Sequence, residues 1–345
     1  MNRKGALALA GSAVGIGAGL IAQHSVVQRR RRTDPEAGEP FGTRRGERSR
    51  TISLDDGANL FIEETGPEAS RGVVFIHGSC LRTDTWHYQM PGLGGHRLVF
   101  YDLRGHGLSQ PKGDSDYTIR TLAGDLGKVI ESSGLDEVVL VGHSVGGMIA
   151  LELCSHLKEQ SKTVKGLVVL NTTYRPAAET LLGGSLAKVE RVTRRPFDFL
   201  GSRAKYIQTL RTIIKPSDSI FMAVSLAGFG PAASARQIDF TYDMLAETPA
   251  DVIFDLIKSY RDFDVRDVMH EIEVPTLVVG GTHDRLTSPD ASEILAENIP
   301  DATLKMFDRC GHMSMLERHR ELNRLLQDFF FSTLGAPDTA GSRTG

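Results

Sequence analysis

Three features of the sequence predict an α/β architecture, a mostly parallel central sheet flanked by helices and interrupted by a helical insertion. Short Val-rich apolar runs recur along the chain. Stretches with apolar residues at three-to-four spacing separate them. Between Tyr174 and about Asp267 the alternation stops and only helix-like segments remain. Nearly continuous apolar runs suit strands buried on both faces of a parallel sheet, and helices between them suit layers packed against it.

The elements follow in order. Residues 5–22, GALALAGSAVGIGAGLIA, are 18 residues without charge, close to the minimum for a membrane-spanning helix. Residues 1–25 therefore read as an N-terminal hydrophobic segment, an anchor or a cleaved secretion signal. Arg29 to Arg32 follow closely, and dense positive charge after an apolar segment tends to stay cytoplasmic. The expectation is membrane association through residues 5–22 with the body in the cytoplasm; secretion after cleavage is the alternative. Residues 26–50 are basic and polar with Gly and Pro, and read as a linker. They close a segment, residues 1–50, with ten Lys/Arg against four Asp/Glu, so the net −3 of the whole chain leaves −9 for the rest. A body of that sign does not attract nucleic acid.

From Thr51, TISLDDGANLFIEE has the form of a hairpin around Asp56-Gly57. Strands are expected at 72–78, 96–105, 137–143, 164–171, 274–281 and 302–308. Helices are expected at Thr118–Ser133, where Ile119, Leu122, Leu126 and Val129 share a face, and at Gly147–Leu157. The insertion, about residues 175–268, is too long for a loop and reads as a helical cap on a domain spanning 51–335. Residues 336–345 read as a disordered tail. The three cysteines, Cys80, Cys154 and Cys310, show no metal-ligand spacing and no disulfide pattern.

Chemistry concentrates at VVLVGHSVGGMIAL, residues 138–151. Gly142 to Gly146 fit G-x-S-x-G between a strand and a helix, the context in which a sharp turn lifts a serine hydroxyl clear of the sheet. Ser144 is the candidate nucleophile, and the amide of Val145 is placed to stabilise negative charge. A neutral serine needs a base and the base needs an orienting acid. His312, in DRCGHMSMLE, and Asp284, closing VVGGTHD, both follow strands, and the order Ser, Asp, His suits this turn. His283, Asp264 and Asp267 are weaker candidates, and His143 is expected to pack beside the turn. The loop after VVFIHG should bring the Ser79 amide to the same oxyanion as Val145, with His77 fixing the loop. Trp86 is a candidate for lining the acyl pocket. This constellation requires neither a metal nor an organic cofactor.

His77-Gly78, Trp86, the segment Asp102 to Ser109 (DLRGHGLS), the GHSVGG turn, Gly281 to Asp284 and Gly311-His312 together resemble the α/β-hydrolase fold superfamily over about residues 51–332. The resemblance implies Ser144 as nucleophile, His312 as base, Asp284 as acid, and a structural role for the Asp102–Ser109 loop. Haloalkane dehalogenases and epoxide hydrolases of this fold carry Asp at the turn, and Ser144 departs from them. The expected function is cleavage of a carboxylic ester or related acyl bond in a small-molecule substrate. Thioester or carbon–carbon hydrolysis, acyl transfer, perhydrolysis and non-catalytic ligand binding are the alternatives. Pocket specificity is expected to lie in the cap, with Phe197, Phe199, Phe221, Met222 and Phe229 as candidates. Oligomeric state is not legible.

Overall fold

The strands of the computed structural model, which describes residues 22–113, 115–176, 179 and 217–336, fall where the apolar runs predict them. They are β1 (Arg48–Ser53), β2 (Asn59–Thr65), β3 (Arg71–Ile76), β4 (Arg97–Tyr101), β5 (Glu137–His143), β6 (Val164–Leu170), β7 (Thr276–Gly281) and β8 (Ala302–Phe307). One sheet holds them in the order β1-β2-β4-β3-β5-β6-β7-β8. β2 runs antiparallel to β1 and to β4; all other neighbours are parallel. β5 is therefore central, and its carboxyl end meets those of β3 and β6.

Successive strand residues point to opposite faces, and the core divides accordingly. Val74, Ile76, Val138 and Leu140 pack on one face, and Val73, Phe75, Val139 and Val141 on the other. All eight are fully buried, and each such side chain contributes roughly 1.5–3 kcal/mol on leaving water. Among the described residues, four helices flank the sheet: α2 (Ile119–Ser133), α3 (Val145–His156), α7 (Pro289–Asn298) and α8 (His319–Leu334). α2 begins where Thr118 accepts a hydrogen bond from the Thr121 amide, and it stops at Gly134 in a left-handed conformation.

The insertion is helical where it is described: α4 (Asp218–Gly228), α5 (Ala235–Glu247) and α6 (Ala250–Ser259). The helix-like runs at 185–194 and 203–214 lie outside the described residues, as do Phe197 and Phe199. Phe221, Phe229, Ile238 and Phe240 of the cap join the same core that holds Phe75 and Phe100, so cap and sheet share their interior.

The N-terminal region corrects one expectation. Residues 26–50 are not a linker. Residues 22–32 form a helix, α1, and the chain after it runs along the body into β1, which begins at Arg48. Val27 and Phe41 are buried in the core because α1 and the segment behind it lie on the cap and on the loop after β3. Among the described residues no helix is long and apolar enough to cross a membrane; the apolar run at 5–22 lies outside them, apart from its last residue.

Candidate active site

At the end of β5 the chain passes from strand to helix through one residue. Ser144 has φ 53° and ψ −118°, a conformation a side-chain-bearing residue keeps only when its surroundings hold it. Its amide donates to the Leu170 carbonyl at 2.9 Å, and its carbonyl accepts from Thr172 Oγ1 at 2.6 Å. The neighbouring glycines are there for clearance. A Cβ on Gly142 would lie 2.4 Å from the Gly146 carbonyl oxygen, and one on Gly146 would lie 2.2 Å from that of Ile76. One on Gly147 would lie 2.6 Å from Thr172 Cβ.

The loop after β3 lies directly against this turn: a Cβ on Gly78 would come within 3.1 Å of Ser144 Cβ. His77, fully buried, holds the loop from inside. Its Nε2 accepts from the Leu103 amide at 2.9 Å, so its Nδ1 donates to the Gly78 carbonyl at 2.7 Å. His106 Nε2 accepts from the Cys80 amide at 3.1 Å, and burial holds that imidazole neutral with a pKa of about 4. Asp102 accepts from the amides of Thr83 and Leu108 at 2.7 and 2.8 Å. The DLRGHGLS segment thus braces the loop that carries Ser79. Among the described residues, none accepts a hydrogen bond from the amide of Ser79 or of Val145.

Asp284 and His312 come together from the ends of β7 and β8. His312 Nδ1 donates to Asp284 Oδ2 at 2.9 Å, which leaves Nε2 for the serine side. Asp284 is buried, and burial alone would raise its pKa. The His312 charge, its hydrogen bond and those from Thr287 outweigh this and hold the carboxyl below its ordinary value. Its Oδ1 accepts from the Leu286 and Thr287 amides, both at 2.9 Å; its Oδ2 accepts from Thr287 Oγ1 at 2.7 Å and Asn171 Nδ2 at 3.0 Å. The His312 loop is fixed as well. The His312 amide donates to the Gly228 carbonyl, and the Gly311 amide donates to Glu317 Oε1, both at 2.9 Å.

A cavity of about 600 Å³ opens over these groups. Ser79, Ser144, Val145 and His312 line its base. Val224 and Ala227 of α4, Thr241 and Leu245 of α5, and Ile253 and Ile257 of α6 form a largely apolar roof. The acyl-pocket candidates that fall among the described residues are elsewhere. Trp86 is fully buried against Phe75, with ring centroids 5.0 Å apart, and does not reach the cavity. Phe221, Met222 and Phe229 are also absent from its lining, because α4 and the residue that follows it turn these side chains toward the core and α1.

The weaker acid and base candidates separate cleanly. Asp264 is exposed and paired with Arg266, and Asp267 is exposed. His283 is exposed beside Thr282. His143 is buried, its Nε2 hydrogen-bonded to the His312 carbonyl oxygen at 2.9 Å; burial first, and then repulsion from His312, hold its pKa at about 3. Sequence reasoning does not find Asn171, Thr287 or Glu317. Asn171 and Thr287 carry a readable signal, a polar residue closing the run VKGLVVLN and a threonine three residues after the acid. Glu317 carries none. Among the described residues, no three His, Cys, Asp or Glu side chains are grouped to hold a metal ion.

A family model described as the alpha/beta hydrolase fold matches residues 72–319. The chain is 29% identical to the non-heme chloroperoxidase of Streptomyces lividans, over 79% of this chain and 95% of that protein. It is 26% identical to the 2-hydroxy-6-oxo-2,4-heptadienoate hydrolase of Pseudomonas putida, over 80% of this chain and 94% of that one. Among solved structures, a thermophilic esterase from Thermogutta terrifontis superposes with a TM-score of 0.67 at 21% identity, covering 83% of this chain and 99% of the other. With the strand order, the strained serine turn and the cap all in their places, the match over residues 72–319 makes this chain an enzyme of the α/β-hydrolase fold family.

Proposed function

We propose that this enzyme is a serine hydrolase that cleaves a carboxylic ester or related acyl bond through an acyl-enzyme on Ser144. One observation carries the reading: Ser144, held in a strained turn, shares the base of an apolar cavity with His312, whose other ring nitrogen is hydrogen-bonded to buried Asp284. Ser144 Oγ attacks the substrate carbonyl while His312 Nε2 takes its proton. Asp284 holds the imidazole in the required tautomer and stabilises the imidazolium. The amides of Ser79 and Val145 receive the oxyanion, already aimed and needing no reorganisation as charge develops. His312 then gives its proton to the leaving alkoxide, and water, deprotonated by the same imidazole, releases the acid. The apolar roof suits an acyl chain.

Thioesters, activated carbon–carbon bonds and peroxide-dependent acyl transfer could use the same three side chains. Labelling with a fluorophosphonate tests the nucleophile, and a panel of p-nitrophenyl esters tests the bond. The expected result is one phosphonyl group per chain, on Ser144, with ester turnover lost in step. Labelling undiminished in the Ser144→Ala variant would overturn the assignment.

A further inference from the structure

α1 and the segment behind it form a strap that begins outside the span of the matched family model, residues 72–319. Its contacts fall on the back of the helices that roof the cavity. On α4, Asp218, Phe221 and Ser225 share one face and Val224 and Ala227 another. The first face meets the strap: His24 Nδ1 lies 2.6 Å from Asp218 Oδ2, and Arg30 Nη1 donates to Ser225 Oγ at 2.9 Å. The guanidiniums of Arg30 and Arg31 lie 5.4 and 5.1 Å from the centre of the Phe221 ring. The second face lines the cavity.

α5 is divided in the same way. Thr241 and Leu245 face the cavity, while Asp239 and Phe240 face the strap. Arg31 forms a two-pronged pair with Asp239, at 3.0 and 2.8 Å, and Phe41 stacks on Phe240 with centroids 4.7 Å apart. Asp34 caps α5, accepting from the Arg236 amide at 2.6 Å and from Ser234 Oγ at 2.9 Å. The far end of the strap is tied to the body, where Glu39 meets His87 at 2.7 Å and Arg45 pairs with Asp84.

We infer that this strap is a specificity element: it sets the position of α4 and α5 over Ser144, and Arg31, which contacts both helices, is its central positioning residue. Arg31 touches no part of the cavity, so it acts on substrate only through the helices it holds. The consequence is selective. A short acyl group occupies the base of the cavity, which the loops at the carboxyl ends of the strands build, and is indifferent to the strap. A long acyl group needs the roof in place. The substrate side of this inference rests on the serine-hydrolase reading above; the mechanical side does not.

The test uses the full chain with Arg31→Glu, which meets Asp218 and Asp239 with like charge, and Arg31→Lys, which keeps the charge without the two-pronged geometry. p-Nitrophenyl acetate and p-nitrophenyl octanoate are the probes, and hydrogen–deuterium exchange of residues 218–247 is read without substrate. In the Arg31→Glu variant we expect kcat/KM for octanoate to fall about tenfold, chiefly through KM, with acetate within about twofold of wild type. Exchange in α4 and α5 should rise, and Arg31→Lys should recover part of both effects. Equal losses on the two esters, or octanoate kinetics unchanged, would overturn the specificity role; unchanged exchange would overturn the strap itself. Wild-type protein that fails to react with a fluorophosphonate would instead remove the serine reading and leave the exchange result to decide the strap.

Discussion

The base of the cavity and its roof are held by different physics. At the base, the groups around Ser144 and Asp284 are fixed by buried hydrogen bonds, many from the main chain, and by glycines that leave no room for a Cβ. At the roof, α4 and α5 share buried side chains with the core, and what orients them from outside is a set of partly exposed ion pairs and stacked rings. Buried, charge-assisted hydrogen bonds are unforgiving, because losing one partner strands the other away from water. Exposed ion pairs are individually weak and screened by salt. The chemistry is therefore built where geometry cannot drift, and the substrate wall where it can be adjusted at small cost.

The base should accordingly fail in large steps. Ser144→Ala is expected to lower kcat by about six orders of magnitude, the loss typical of removing a nucleophile that acts as one unit with its base. Because the methyl fits the turn, the unfolding midpoint should stay within a degree or two of wild type; retained esterase activity would break the contrast at its strongest point. Asp284→Asn is expected to cost about four orders of magnitude by leaving His312 in the wrong tautomer. Steady-state kinetics on one activated ester checks both.

The base is legible in the sequence and the roof largely illegible, for a physical reason. Ser144, Asp284 and His312 sit in stretches whose composition is dictated by backbone constraint, with glycines at 142, 146, 147 and 311 where a Cβ would strike main chain or a packed side chain. The glycines themselves mark such constraints, so a short window reveals them even where the atom a Cβ would strike lies far along the chain. The strap is a long-range feature. Arg31 and Asp239 are 208 positions apart, and nothing in RRRRTDPEAGEPFGT distinguishes a basic linker from a segment that finds carboxylates on a distant helix. Trp86 escapes the sequence for a related reason: its position in the chain gives no information on which side of the loop its indole turns. The core under β3 has room for it.

A single methyl should be enough to show how tightly the base is built. Gly146→Ala places a Cβ 2.2 Å from the Ile76 carbonyl oxygen and 2.8 Å from that of His77, both main-chain atoms that move only if β3 moves. The cost is expected to be about 3 kcal/mol, the upper end of the usual range for overpacking. Activity should fall with it, because Ile76 and His77 lead into the loop carrying Ser79. Denaturant unfolding checks the first and kcat/KM the second. A mild effect would mean that the base tolerates adjustment as the roof does.

Glu317 belongs to both regions, and its titration gives the smallest and most specific prediction. Its Oε1 accepts from the Gly311 amide, beside His312, at 2.9 Å, and its Oε2 accepts from the Gly230 amide, just after α4, at 2.8 Å. Burial raises its pKa, the amide hydrogen bonds lower it, and burial wins, so the carboxyl titrates at about 7 against an ordinary 4.5. A folded-state pKa above the unfolded one means that folding favours the proton. The associated stability is complete below about pH 4.5 and is lost as pH rises through 7. The loss amounts to at most about 3 kcal/mol, since a tenfold change in proton affinity is worth roughly 1.4 kcal/mol. Glu317→Gln cannot titrate. It should carry a pH-independent penalty for one poorly matched amide contact, and its stability relative to wild type should rise between pH 5 and pH 8. Unfolding free energies of both proteins at the two pH values isolate this group, since every other titration is common to both. Parallel pH profiles would show that Glu317 keeps an ordinary carboxyl and that the junction between His312 and the cap is as solvated as the ion pairs of the strap.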